Sequence, residues 1–113
     1  MMTMENVFIT ITGLNHYFEQ KPFHIGQIVK ISKDYKNEHD CEAIRVELPY
    51  IGTVGYVANS THTVYAGTYS AGRIYDKIAD YAYGVVMFMT HSSVIALMLS
   101  PEQVEKEKTE MTW

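Results

Sequence analysis

Short runs of β-branched and aromatic residues recur along the chain, and turn residues such as glycine, proline and asparagine interrupt them about every ten to fifteen positions. Residue types of this kind favour β-strands, and runs this short leave little room for long helices. Residues 94–99 fit a closing strand or a helix, and a strand is slightly favoured. The clearest strand candidates are residues 7–12, 27–32, 43–48, 53–58 and 83–90.

One late segment has helical rather than strand periodicity. Residues 70–80 place Ile74, Ile78 and Tyr81 at spacings of four and three, and Ser70 is a residue type that often caps a helix. The remaining runs suit an antiparallel sheet, which tends to close on itself because closure removes exposed strand edges. The sequence therefore predicts a mainly β fold, a small antiparallel barrel of five or six strands with a helix inserted late.

Length and charge limit the organisation of the chain. At 113 residues it has the size of one domain, which we expect to occupy residues 1–100. Residues 101–113 contain four glutamates and two lysines, so this predicted tail, solvated and either helical or frayed, carries −2 of the net charge of −4. An acidic balance does not by itself indicate a polyanionic partner. The rest of the chain is only mildly acidic, which leaves local basic spots open.

Three features bear on the compartment. A single cysteine cannot form an internal disulfide, and no apolar run approaches the roughly 18 to 20 residues of a membrane span. The first ten residues lack a positive segment ahead of an apolar stretch, so no secretory signal is expected. These features predict a cytoplasmic protein that does not contact a membrane.

The polar segment at residues 37–42 concentrates reactive side-chain types before a strand. His39, Asp40 and Cys41 are all metal-ligand types, but adjacent residues on an extended segment point to opposite sides, and no second ligand cluster completes a site. Acids flank Cys41, and His39 alone is not a supported base, so a half-buried structural cysteine is favoured over a nucleophile. The glycines match no phosphate-binding loop. We therefore expect no metal, no cofactor and no enzymatic activity, and a hydrolase or metal-dependent enzyme is the least favoured reading.

Aromatic residues stand near several predicted strand ends. His16, Tyr17 and Phe18 follow the first strand, Tyr35 and His39 lie in the polar loop of residues 34–42, and Tyr56 lies in the hairpin. Flat rings at the strand ends of small barrels stack nucleobases in many nucleic-acid-binding proteins. Packing of the same rings in the core is the alternative, and residue types alone leave both open.

Three separated blocks resemble a known family. The stretches ITGLNHY, IGQIVKISKDYKNEHDCEAIRV and GTVGYVANS are similar to the pattern of the HIRAN domain over roughly residues 7–90. The resemblance implies an OB-like antiparallel barrel of five or six strands with one or two short helices. The longer segment at residues 59–80 is similar to the form found in stand-alone bacterial HIRAN-like proteins.

The resemblance also implies a function and a site. The HIRAN domain of the helicase-like transcription factor captures the 3′ end of single-stranded DNA. On this basis Asp40 would accept a hydrogen bond from the terminal 3′-hydroxyl, and aromatic side chains would flank the last bases. A partner nuclease or helicase would supply any enzymatic step. The predicted nucleic-acid-binding residues are Asn15, His16, Tyr17, Lys36, His39, Asp40, Tyr56 and Asn59.

Two departures from the family pattern lower the expected affinity. Asn15 and Asn59 stand where the DNA-binding member has an arginine and lysines around its pocket. Phosphate contacts from such cations supply much of the affinity for nucleic acid. A protein interaction or regulatory domain that kept the barrel and lost nucleic-acid affinity is therefore the alternative. Cations that could substitute are Lys33, Lys36, Arg45, Arg73 and Lys77.

Overall fold

The computed structural model describes residues 6–107, whose regular structure consists of six strands, two short helices and one 3-10 turn. The predicted mainly β fold, with five or six strands and one or two short helices, is confirmed. The strands are β1 (Phe8–Thr12), β2 (Ile28–Lys33), β3 (Ile44–Leu48), β4 (Gly52–Val57), β5 (Tyr81–Met89) and β6 (Val94–Met98). The helices are α1 (Ala71–Tyr75) and α2 (Pro101–Glu107), and the 3-10 turn is Leu14–His16.

All strand pairs are antiparallel, and the sheet closes into a barrel in the order β1-β4-β3-β2-β5-β6. The predicted hairpin at residues 43–58 is present as β3 and β4. Closure depends on β1, which pairs with β6 through residues 8–11 and with β4 through its last two residues. The final residue of β1, Thr12, therefore lies directly beside Tyr56 of β4.

The core fills the barrel with aliphatic side chains from alternating strand positions. In β3, for example, Ile44, Val46 and Leu48 are buried while the intervening residues are only half-buried. Burying a side chain of this size contributes about 1.5 to 3 kcal/mol, which is why the period-2 pattern fixes which face of each strand points inward. The completely buried aliphatic residues include Ile9, Ile11, Val29, Ile31, Ile44, Val46, Val54, Val86 and Val94.

Helix α1 is shorter than the sequence predicts. The predicted cap is correct, because the Ser70 hydroxyl accepts a hydrogen bond from the Arg73 N–H at 3.3 Å. The helix ends at Tyr75 rather than near residue 80, and Tyr81 belongs to β5 and is exposed. Ile74 and Ile78 are nevertheless both buried, since a turn after the helix brings Ile78 to the same side. The apolar spacing therefore identified the buried face and overestimated the helix length.

Strand β5 differs from the expected buried strand at its C-terminal end. Met87, Phe88 and Met89 are all exposed. Pairing with β2 runs only as far as Val85, and the register with β6 shifts between Val86 and Phe88. The strand therefore extends past the part of the barrel where both neighbours cover it. The ambiguous segment after it is a strand, Val94–Met98.

The segment after β6 is helical and packs on the barrel with one residue. Val104 of α2 is buried in a small cluster with Tyr83 and Leu99. The acidic residues Glu102 and Glu105 are exposed, as expected of a charged tail, and residues 108–113 of that predicted tail lie outside the described range. No helix between residues 6 and 107 has both the length and the apolar character needed to cross a membrane. Cytoplasmic location stays a prediction.

Candidate functional site

Two of the predicted aromatic residues form a pair. The ring centroids of Tyr17 and Tyr56 lie 6.5 Å apart, with the ring planes inclined by 36°. Tyr17 follows the 3-10 turn and is 39% exposed, whereas Tyr56 lies on β4 and is half-buried. The site therefore combines one accessible ring with one ring fixed in the sheet.

Gly55 explains why the two tyrosines meet. A Cβ atom at this position would lie 2.9 Å from both the Ile11 Cγ2 atom and the Thr12 carbonyl oxygen, and 3.0 Å from the Leu14 Cδ2 atom. Real Cβ atoms do not approach backbone this closely. Only glycine allows the end of β1 and the 3-10 turn to lie against β4, and this approach places Tyr17 next to Tyr56.

The hydroxyl of Tyr56 donates a hydrogen bond to the Asp34 Oδ2 atom at 2.6 Å. The Asp34 side chain is 16% exposed, and its other oxygen lies 3.6 Å from the Arg45 Nη1 atom. The Tyr56 hydrogen bond, with smaller contributions from the Asn37 amide, the Arg45 charge and the Lys36 N–H, lowers the pKa of Asp34 despite desolvation. Burial and the Asp34 carboxylate raise the pKa of Tyr56. Tyr56 is therefore a stable neutral donor to a stable anion.

Asn37 connects this pair to Asp40. Its Nδ2 atom lies 3.4 Å from the Asp34 Oδ2 atom, and its Oδ1 atom accepts the N–H groups of His39 and Asp40, each at 2.9 Å. An asparagine that accepts backbone donors two and three residues ahead fixes a turn. The polar loop between β2 and β3 is thus ordered by its own side chains.

Asp40 is held by two hydrogen bonds. Its Oδ1 atom accepts the Glu42 N–H at 2.9 Å, and its Oδ2 atom accepts the Asn59 side-chain amide at 2.9 Å. An ionised carboxylate has about four acceptor positions, so these two bonds leave capacity for a ligand donor. The Asn59 side-chain Oδ1 atom also accepts the Gly72 N–H at 2.8 Å, which ties the loop to the first turn of α1.

The other predicted residues lie on the 3-10 turn and in the polar loop. Asn15 and His16 are exposed on the 3-10 turn, and Lys36 and His39 are exposed in the polar loop. Cys41 is also exposed, so the expectation of a half-buried cysteine is wrong. The structure brings Tyr17 to Tyr56 and Asp40 to Asn59, and within residues 6–107 no direct hydrogen bond, ion pair or ring contact joins these two pairs.

Sequence reasoning missed Asp34 and Asn37, which link the two pairs. A usable signal was present for Asn37, because asparagine at the start of a polar loop is a frequent turn former. Asp34 had no comparable signal, since its partner Tyr56 is 22 residues away in the sequence. Only the register of β2, β3 and β4 brings these two side chains together.

Most cations proposed as substitutes have other partners. Arg45 lies 3.6 Å from acidic oxygens of both Asp34 and Glu47. Three more stack on tyrosine rings: Lys33 lies over Tyr75, and Arg73 and Lys77 lie over Tyr69. Within the described part of the chain, the Lys36 side chain has no ion pair or ring contact. Lys36 is therefore the one proposed cation that is free to meet a phosphate.

Residues 6–107 contain no group of three or more histidine, cysteine, aspartate or glutamate side chains that could hold a metal ion. The site offers hydrogen-bonding groups on Asp40 and Asn59, the rings of the tyrosine pair, and the ammonium group of Lys36. This combination suits binding of a ligand with flat rings and a hydroxyl donor.

Comparison with protein families supplies the classification. The model of the HIRAN domain matches residues 4–100, nearly the whole chain. Comparisons with curated proteins and with solved structures give no significant match. The family match covers all six strands, both members of the tyrosine pair, the polar loop and α1. The chain therefore belongs to the HIRAN domain family.

Proposed function

We propose that this protein binds single-stranded DNA at its 3′ end, with Asp40 as the acceptor of the terminal hydroxyl and the tyrosine pair as the surface for the last bases. HIRAN domains are generally nucleic-acid-binding modules. The observation that carries the proposal is the hydrogen-bonded chain Tyr56–Asp34–Asn37–Asp40. It runs from the tyrosine pair, in which Tyr17 is accessible, to the backbone N–H of Asp40, whose carboxylate has spare acceptor capacity.

A carboxylate distinguishes a strand end from the strand interior. A terminal 3′-hydroxyl donates a hydrogen bond, whereas an internal phosphodiester has no donor and its charge is repelled by the acid. Asp40 is already oriented by the Glu42 N–H and the Asn59 amide, so binding requires little reordering at this residue. Base stacking on an aromatic ring then contributes about 1 to 3 kcal/mol per base.

The remaining predicted residues have supporting roles in this proposal. Lys36 meets a phosphate, while His16 and His39 flank the bases from the 3-10 turn and from the polar loop. Arg45 contributes little to phosphate binding, because Asp34 and Glu47 already balance its charge. We therefore expect a modest affinity that falls with salt. The protein acts as a binding module without enzymatic activity of its own, and a nuclease or helicase partner acts on the bound end.

A fluorescence anisotropy titration tests end recognition. Oligonucleotides with a free 3′-hydroxyl are compared with the same sequences bearing a 3′-phosphate. Hydrogen bonds to charged groups are worth about 1.5 to 3 kcal/mol, so the free hydroxyl should bind about tenfold to a hundredfold more tightly. Asp40→Ala should abolish this preference.

The matched control is Glu38→Gln. Glu38 is exposed in the same loop, and no hydrogen bond or ion pair of its side chain occurs within residues 6–107. This variant removes a neighbouring negative charge and should keep the preference for the free hydroxyl. Retention of the preference in folded Asp40→Ala, or equal binding of both oligonucleotides by the unmodified protein, would contradict the proposal.

The alternative is a protein interaction or regulatory domain that kept the barrel. The observation in its favour is the engagement of Arg45, Lys33, Arg73 and Lys77 by acids or rings of the same chain, which leaves few cations for phosphates. The same titration separates the two functions. Negligible, equal binding to both oligonucleotides at low salt, by a protein with an intact fold, favours the alternative.

A further inference from the structure

We propose that a polar cleft beside the tyrosine pair is a second subsite for single-stranded DNA, which takes the sugar and phosphate of nucleotides on the 5′ side of the last two. This inference rests on the proposed function. The cleft has a volume of about 440 Å³, which lies within the range of about 300 to 1,000 Å³ typical of ligand sites. Besides Gln20, the polar and charged residues of its lining are Thr12, Asn15, Glu19, Lys21, His91 and Ser92.

The two walls of the cleft are fixed to each other. The amide of Gln20 donates to the Thr90 carbonyl at 2.6 Å and to the Ser93 carbonyl at 3.0 Å. These bonds join the loop after the 3-10 turn to the connection between β5 and β6. Within that connection the Thr90 and Ser93 hydroxyls lie 2.7 Å apart. The cleft is therefore a formed feature between two ordered segments.

The cleft begins where the tyrosine pair ends. Thr12 lines the cleft, and its Cα is the antiparallel partner of the Tyr56 Cα. Paired residues on neighbouring strands lie about 5 Å apart. The 3-10 turn adds a second link, because it carries Asn15 into the cleft lining and is followed directly by Tyr17. A strand whose last two bases lie at the rings can therefore continue into the cleft.

The cleft lining contains a positive side chain, Lys21, and a negative one, Glu19, so removal of either charge should change DNA affinity in opposite directions. Lys21 is exposed and provides the ammonium group for a phosphate, and Asn15, Ser92 and His91 add hydrogen-bonding groups. Glu19 lines the same cleft and repels a phosphate. Removal of the Lys21 charge should therefore weaken binding of longer strands, and removal of the Glu19 charge should strengthen it.

The experiment compares a labelled thymidine dinucleotide with a labelled thymidine octanucleotide, both with a free 3′-hydroxyl, over a series of salt concentrations. The octanucleotide should bind more tightly to the unmodified protein. Lys21→Gln should weaken octanucleotide binding about threefold to tenfold and lower the slope of log affinity against log salt by about 0.7, the value for one phosphate of a single strand. Glu19→Gln should raise octanucleotide affinity, and both variants should leave the dinucleotide nearly unchanged.

The control is Lys30→Gln, which makes the same charge change on β2, where Lys30 lies over the Tyr81 ring and does not line the cleft. It should affect both lengths equally and slightly. The inference is overturned if Lys21→Gln and Glu19→Gln leave the octanucleotide advantage and the salt slope unchanged.

Failure of the cleft and failure of end recognition give different results. A preserved preference for the free 3′-hydroxyl with no effect of Lys21 or Glu19 overturns the cleft and keeps the proposed function. An octanucleotide advantage that depends on both residues, with no preference for the free hydroxyl, supports the cleft and contradicts end recognition. Absence of binding to either length overturns both.

Discussion

Two aromatic pairs, each with one exposed and one half-buried ring, lie near opposite ends of β1, and their ring geometries are almost the same. Tyr17 and Tyr56 have centroids 6.5 Å apart at 36°, and Phe8 and Phe88 have centroids 6.4 Å apart at 40°. The surroundings differ. The Tyr56 hydroxyl is bonded to a carboxylate, whereas the phenylalanine pair lies in a cleft of about 390 Å³ with Tyr65 and Ile95.

The comparison shows that ring geometry alone does not define a base-binding surface. Either pair contributes about 0.5 to 1.5 kcal/mol beyond the burial of its area. Of these two pairs, only the tyrosine pair is attached to a chain of hydrogen bonds that leads through the Asp34 carboxylate to the backbone N–H of Asp40, and only it lies beside a cleft with a cation. The phenylalanine pair, with exposed Met87 and Met89 on the same strand as Phe88, presents an apolar surface with no comparable polar group on its rings.

The largest expected effect comes from Gly55→Ala, which separates the two tyrosines. The added methyl group would lie 2.9 Å from the Thr12 carbonyl oxygen, so the end of β1 must move away from β4. Overpacking of this kind costs about 1 to 3 kcal/mol of the free energy of unfolding. We expect lower stability in urea unfolding and, in the folded variant, weaker binding of single-stranded DNA.

Gly84→Ala is the matched control for this change. A Cβ atom there would lie 3.2 Å from the Leu97 carbonyl oxygen, a milder contact on the other side of the barrel. It should reduce stability by a smaller amount and leave the affinity for DNA unchanged. Normal DNA binding by folded Gly55→Ala would show that the contact between Tyr17 and Tyr56 is not needed.

The next effect distinguishes the two aromatic pairs directly. Tyr17→Ala removes the accessible ring and should weaken DNA binding by about 1 to 3 kcal/mol, the value of one stacked base, with little loss of stability because Tyr17 is exposed. Phe88→Ala removes a ring that is also exposed and paired in the same geometry, and it should leave DNA affinity unchanged. Anisotropy titration measures both. Equal losses in the two variants would contradict the assignment of binding to the tyrosine pair.

The sequence predicted the barrel because alternating apolar residues directly encode which strand face is buried. It could not predict the exposed end of β5, because Met87, Phe88 and Met89 have strand-forming composition and their exposure follows from where β2 stops pairing. Local spacing likewise placed Ser70 as a helix cap correctly and extended the helix too far.

The candidate site was predictable only in part, and mainly through family resemblance. Asp40, Tyr17 and Tyr56 belong to quoted motifs, so the resemblance identified them without any knowledge of their contacts. Asp34 also lies in a quoted block, but the resemblance gave it no role, because its link to the site is a hydrogen bond that depends on the pairing of three strands. Contacts of this kind depend on barrel register, which residue types alone do not determine.

The smallest expected effect tests the bond that distinguishes the tyrosine pair from the phenylalanine pair. Tyr56→Phe removes only the hydroxyl, so the ring on β4 then has no bond to a carboxylate, as is the case for the two phenylalanine rings. Loss of one hydrogen bond to a half-buried carboxylate should cost about 1 kcal/mol of unfolding free energy near neutral pH. Tyr35→Phe is the control, since Tyr35 also donates to a carboxylate, that of Asp80, but is exposed to solvent and should have a smaller effect.

The pKa shifts of Asp34 and Tyr56 predict how the difference in unfolding free energy between the unmodified protein and Tyr56→Phe changes with pH. Because the folded pKa of Asp34 is lowered, mainly by the Tyr56 hydroxyl, the stabilisation is present above the unfolded value of 3.8 and disappears as the pH falls through the folded pKa. Because the folded pKa of Tyr56 is raised, its contribution is complete below the unfolded value of 10.0 and declines as the pH rises above that value. Urea unfolding of the two proteins across pH should therefore show the largest difference between these limits and a smaller difference on either side. A difference that stays constant below pH 3.8 would mean that the hydroxyl stabilises the fold by packing, and not by its bond to the Asp34 carboxylate.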